Sequence, residues 1–319
     1  MVNFNPDFHD HDNLPAGLRE KIEAALEQSK ATDSFDALKD ILNHTMESHN
    51  STPDPEIGGF SPAMLYALGG SKWDSPDCPL KLSDTLIYDQ LQKTTGFCRT
   101  RTFLIAVRDS GGIKATTKGN LPRSFVNEMV DVFLDEEEKA FTLRVNKVLN
   151  EQDVFPLHVA RIHCKLTGLI GLTKGKFTLR KKAHKLLEPE AAGLLYKTLF
   201  TSYFQKYNIG YAYNHVIELD WLQREAGYVL MPLQLQADKW INAAAIAPKL
   251  LHPMIHNRLE DELKAVAYME VIDALESYFF NPLETWGLLE IERTKQGYFE
   301  VIQRIRKTEL FDQFIRFEA

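Results

Sequence analysis

The chain has 319 residues, 44% of them hydrophobic and 25% charged, with 44 acidic against 37 basic side chains and a formal net charge of −7. This is the composition of an ordinary soluble globular protein, and no apolar run approaches the roughly 20 residues needed to cross a bilayer. The 3 cysteines are too few and too scattered for a disulfide framework or a thiolate metal site.

A length of 319 residues implies a large core and two or three subdomains. Residues Met1 to Asp12 have no basic start followed by an apolar segment, so a cytoplasmic protein is expected.

Along the chain, Leu18 to Gln28 has the apolar spacing of an amphipathic helix, and a second is predicted from a Ser34 cap through Phe35, Leu38, Ile41 and Leu42. The Ser, Asn, Pro, Asp and Gly of 48–59 read as a linker. Ser61 and Pro62 then open a helix carrying Met64, Leu65 and Leu68. Leu86 to Leu91 and Thr100 to Arg108 are helical stretches. Ile113 to Thr116 is strand-like, and Leu121 to Leu134 reads as a helix with Phe125, Met129, Val132 and Phe133 inward.

The stretch from Val154 to Leu187 holds eight Lys or Arg and no acid, so the rest of the chain carries 29 basic against 44 acidic residues. Val159, Ile162, Leu166 and Leu169 fall at helical spacing as a buried stripe, which puts His158, Arg161 and Lys165 together on another face. Pro156 suits the first helical turn and Gly168 the C-terminal reversal. Ile170 to Leu172 and Lys176 to Leu179 read as strands joined at Lys174 and Gly175, and a helix follows Arg180. Helix, two-stranded wing, helix is the order of a winged-helix module.

Several landmarks then carry a resemblance. Gly59-Phe60-Ser61-Pro62, Gly112-Ile113-Lys114 with Thr117 and Gly119 to Arg123, the hairpin of Thr167 to Leu187, and Lys307 to Phe311 resemble, in order, those of a family of uncharacterised bacterial proteins with winged-helix-like segments. The resemblance spans roughly residues 58 to 318 and implies a fold without an activity. Ala115 and Ala183 depart from it, standing where Leu and Gly are expected.

Farther on, Pro189 to Tyr207, Val216 to Gln236 and Lys239 to Leu251 are apolar on more than one side, as central helices are. Val266 to Phe280 reads as one long helix. Gly287 to Ile291 and Phe299 to Ile305 read as strands about a turn at Lys295 to Gly297, and Thr308 to Phe317 as the last helix.

The expected fold class is mainly α (α+β), a helical protein with small β-hairpin wings in tandem winged-helix-like units. Residues 1–59 form an acidic helical segment and linker, 60–188 two units, and 189–319 a helical region ending in a third.

Three functions are weighed. The first is nucleic-acid binding or regulation, in which His158, Arg161 and Lys165 face base edges, Lys174 and Lys176 form the wing tip, and Lys181 and Lys182 touch backbone. The second is a scaffold or protein-interaction module with no nucleic acid. The third is a metal-dependent enzyme on His252, His256 and Glu260, which stand at intervals of four; His252-Pro253 is equally a helix-start pair. His9, Asp10, His11 and Asp12 read as a polar tail or a metal-binding one. No phosphate loop, no Gly-x-Ser-x-Gly elbow and no distinctive acid pair marks catalysis. No cofactor and no membrane partner is expected.

Overall fold

The computed structural model describes residues 16–29, 35–54, 59–69, 73–76, 78–213, 219–266, 269–296 and 299–318. The chain is mainly helical with small antiparallel sheets, an α+β protein. It divides into two compact units between Tyr66 and Ala67. In the first, α1 (Ala16–Ser29) and α2 (Phe35–Ser51) pack on each other. The expected Ser34 cap and the 9–12 tail lie outside the described residues. Helix α3 (Pro62–Leu68) runs through the boundary.

The second unit opens with β1 (Leu80–Leu82) and α4 (Tyr88–Leu91). Helix α5 (Thr95–Asp109) ends in Gly111 and Gly112, both at positive φ, which reverse the chain into β2 (Ile113–Lys114). Helix α6 (Arg123–Phe133) buries Phe125, Val126, Met129, Val130 and Phe133, whereas Val132, expected inward, is exposed. Helix α7 (Glu136–Val145) is capped by Asp135, whose side chain accepts from the Glu138 amide at 2.8 Å. Helix α8 (Phe155–Leu166) has Pro156 in its first turn and ends at Gly168, φ +64°.

A hairpin follows, β3 (Ile170–Thr173) and β4 (Lys176–Leu179). Lys174 and Gly175 both take positive φ, as a two-residue turn matched to strand twist requires. The short α9 (Lys181–Leu186) comes next.

Strand β2 lies against β4 in register Ile113 with Phe177 and Lys114 with Lys176, giving sheet order β2-β4-β3. The stretches around 113 and around 170, read from sequence as separate units, therefore share one sheet. An isolated two-residue strand leaves its polar groups unpaired, and the hairpin edge satisfies them.

Helix α10 (Ala192–Gln205) comes next, with α11 (Gly210–Tyr213) after it. The later elements are α12 (Ala226–Gln236), β5 (Ile241–Asn242), α13 (Ala243–Leu250), α14 (Pro253–Leu263), α15 (Val271–Leu275), a π-helical turn at Glu276–Phe280 and α16 (Asn281–Thr285). The hairpin β6 (Leu289–Gln296) and β7 (Phe299–Lys307), helix α17 (Glu309–Phe314) and β8 (Ile315–Phe317) complete the unit. In place of the single helix expected over 266–280, α15, the π-turn and α16 follow one another over 271–285. Gly297, expected in the turn between β6 and β7, lies outside the described residues. Helix α17 stops at Phe314 because residues 315–317 leave to pair with β1.

The order from α5 to α9 recurs from α12 to α17. Each run is helix, short strand, two helices, a helix ending in glycine at positive φ, hairpin and short helix, and the second sheet has the matching order β5-β7-β6. Between the two runs lies α10, whose Tyr196 and Phe200 pack edge-on against Trp286 and Phe314. His163 of α8 meets Trp286 across the same core at 5.9 Å between ring centroids. The helix preceding each hairpin therefore faces the interior.

Candidate nucleic-acid interface

Helix α8 carries three of the seven residues of the sequence-predicted basic face, and the structure corrects its orientation. His158 and Arg161 are 5% and 8% exposed, so they do not project toward solvent. Both point at Glu151, in the 3-10 turn ahead of α8. His158 Nδ1 donates to Glu151 Oε1 at 2.6 Å and Arg161 Nε donates to the same oxygen at 2.5 Å. The Leu121 amide donates to Oε2 at 2.5 Å. Burial pushes the Glu151 carboxyl up, but hydrogen bonds from His158, Leu121 and Arg161, and the charge of Arg161, outweigh it and hold the group below its ordinary range.

The expected buried stripe of α8 is rotated accordingly. Leu157, Ala160, His163 and Cys164 are buried, while Leu166 is 40% exposed. The physical cause is cover on several sides: α5, α6 and α10 all pack against α8, so it is a core helix and not a surface one.

The remaining predicted cations are exposed. Lys165 is at the end of α8, Lys174 in the hairpin turn, Lys176 on β4, and Lys181 and Lys182 in the first turn of α9. Lys182 Nζ donates to the Thr167 carbonyl at 2.6 Å, which ties α9 to the C-terminus of α8. Two further cations join them, which the sequence-based site lacks. Lys114 stands directly across from Lys176, and Arg180 lies flat over Gly171, where any side chain would meet its guanidinium at 2.3 Å. Thr173 faces Lys176 from the other side.

Among the described residues, none of Lys114, Lys165, Lys174, Lys176, Arg180 and Lys181 has a carboxylate within ion-pair distance. Like charges directly opposed on neighbouring strands repel. The second hairpin, of the same topology, is built the opposite way: Arg304 pairs with Glu292 across the strands at 2.5 Å, and Arg306 pairs with Glu290. One hairpin is neutralised by its own glutamates, and the other presents bare positive charge.

Residues 97–192 match the model of the Y4jL N-terminal domain. No curated protein sequence and no solved structure matches the chain. The Y4jL-like segment runs from α5 to the start of α10, so the three strands of the first sheet, α8 and α9 all lie inside it. The function of the Y4jL N-terminal domain is not established, and the likeness carries no activity to this chain.

The metal reading is also corrected. His252 precedes α14 with extended backbone, and its Nδ1 accepts from the Met254 amide at 3.2 Å, so it serves as the helix cap. His256 Nδ1 lies 3.8 Å from Glu260 Oε1. Among the described residues no three His, Cys, Asp or Glu side chains converge as metal ligands. Burial pushes the thiols of Cys78, Cys98 and Cys164 up. No helix of the described residues is long and apolar enough to cross a membrane.

Proposed function

We propose that residues 95–187 form a winged-helix-like module that binds nucleic acid through its wing, by phosphate contact and not by base reading. The binding face consists of Lys114, Lys174, Lys176 and Arg180, with Lys165 and Lys181 at its margin. The observation that carries this is the contrast between the hairpins. Lys114 opposes Lys176 with no acid near either, while the arginines of the second hairpin are paired. A polyanion would relieve that repulsion and release its own counterions. His158 and Arg161 take no part, because Glu151 holds them inside. Sequence-specific contacts from α8 are excluded from this reading for the same reason, and modest, salt-sensitive, sequence-tolerant binding is what it implies. Three free cysteines fit a cytoplasmic setting.

The test is fluorescence anisotropy of a labelled duplex and a labelled single strand over a salt series. Wild type should bind more weakly as salt rises. Lys174→Glu with Lys176→Glu should lower the magnitude of the salt slope by about two, one for each lost phosphate contact. Undetectable binding at low salt, or equal binding by the variant, overturns the reading.

One observation favours a scaffold instead. In both runs the helix before the hairpin, α8 or α15 to α16, is core, so the element that enters the major groove in many DNA-binding modules serves packing here. In that reading the wing meets an acidic protein surface, and the variant would lose that partner with nucleic-acid binding absent throughout.

A further inference from the structure

Helix α7 contributes no buried residue. Phe141 and Val145 are 58% and 61% exposed, and Val148, just past the helix end, is 50% exposed. The helix occupying the same place in the second run, α14, buries Leu259 and Leu263. A ten-residue helix is marginal in water unless its apolar face is covered. Yet α7 is fully formed and closed by a capping box, so its sequence is made for a helix with a covering surface. Large side chains gathered on one exposed face mark an interaction site.

The charges on that face indicate the occupant. Glu137, Phe141 and Arg144 follow one another at helical spacing within α7, so they lie along one stripe. The acidic group sits at one end, the basic group at the other, and Phe141 between them. Among the described residues neither Glu137 nor Arg144 has an ion-pair partner; Arg144 rests over the Phe141 ring at 5.2 Å. A helix with this layout is complementary to itself when turned through a two-fold axis near Phe141, which sets Glu137 of each copy beside Arg144 of the other and Phe141 against Phe141.

We propose that α7 is a self-association surface, on which a second copy of this chain packs its own α7 antiparallel. The helix is about 15 Å long at ~1.5 Å per residue, so the contact is well below the standard interface of about 1,600 Å² and the dimer is weak. This inference is independent of the polyanion reading, since the wing residues are not part of it.

Sedimentation velocity over a concentration series up to the solubility limit tests it. The expected result is a reversible monomer–dimer equilibrium. Phe141→Asp with Val145→Asp should raise the dissociation constant at least tenfold. Glu137→Arg and Arg144→Glu should each weaken the dimer, and the two together should restore it. None of these positions is buried, so the fold is retained. A chain that is monomeric at every concentration overturns the proposal and leaves the patch to a different protein. A dimer indifferent to the Asp variants, or a charge swap without restoration, overturns it as well.

Discussion

Glu151 Oε1 accepts a 2.6 Å hydrogen bond from His158 Nδ1, with both side chains buried, and takes a second from Arg161 Nε at 2.5 Å. One carboxylate therefore organises the start of α8 and, through the Leu121 amide, the loop leading into α6. Removing its charge strands the Arg161 guanidinium in the interior. Glu151→Gln should cost about 3 kcal/mol or more, the usual penalty for an uncompensated buried charge. Adding Arg161→Met should recover roughly 1–3 kcal/mol as a coupling energy in a double-mutant cycle. Urea unfolding of the four proteins measures it. Additive losses would mean that the two groups do not act together.

His163 sets the acid sensitivity of the core. Burial lowers it to about 4 from its ordinary 6.5, a hydrogen bond with the Leu199 backbone offsetting only part of the effect. The folded state thus keeps His163 neutral while the unfolded chain binds the proton, so stability falls as pH drops from about 6.5 toward about 4. Between pH 7 and pH 5 the loss from this one group is about 2 kcal/mol. Glu151 acts in a lower window: its depressed carboxyl stabilises the fold above the ordinary carboxylate range, and that share is lost as acid protonates it. His163→Gln should flatten the slope between pH 7 and pH 5 and leave the lower loss in place. Denaturant midpoints over a pH series check both, and an unchanged slope in the variant would refute the assignment.

The parts legible in the sequence are those determined by neighbours in the chain. Pro156, Gly168 and the pair Lys174-Gly175 fixed the start of α8, its end and the hairpin turn, because each is a local backbone requirement. The His252-Pro253 pair likewise announced a helix start, and the structure uses His252 as that cap. The orientation of α8 was not legible. Its periodicity is compatible with more than one buried face, and the choice was made by Glu151 and by α10, which lie outside the helix. Lys114 was missed for a similar reason, since only the strand pairing with Lys176 brings it beside the β3–β4 hairpin. The acidic run from Asp135 to Glu138 is exposed and forms the capped first turn of α7. The π-turn at Glu276–Phe280 has no local signal and divides a helix that periodicity reads as continuous.

Two glycines of the first sheet should respond in opposite ways. At Gly112, φ is +100° and an added Cβ would meet the Phe177 carbonyl at 2.7 Å, so backbone would have to move. Gly112→Ala should cost about 2 kcal/mol or more, from strain and the broken sheet edge together. At Gly171 the atoms nearest to the added carbon are those of the Arg180 guanidinium, the far end of a flexible side chain. Gly171→Ala should leave stability within roughly 0.5 kcal/mol of wild type, and lift Arg180 away from the wing, weakening duplex binding without changing net charge. Thermal unfolding separates the two variants, and anisotropy shows whether Arg180 contributes. Equal destabilisation by both would contradict the geometry.

Lys176→Glu should separate the stability of the wing from its binding. In wild type, Lys176 opposes Lys114 across the β2–β4 pair with no acid near either. The substitution turns a repulsive pair into an attractive one of the kind the second hairpin already has in Arg304 and Glu292. The hairpin should gain roughly a few tenths of a kcal/mol from the new cross-strand pair. Binding to a labelled duplex at low salt should fall by at least tenfold, because a phosphate contact is lost and a repulsive charge is added. A merely solvated lysine would give the first effect without the second. The decisive measurement is therefore the pair of readouts on one protein: a raised melting temperature with unchanged anisotropy would identify the wing as a surface feature with no polyanion to bind.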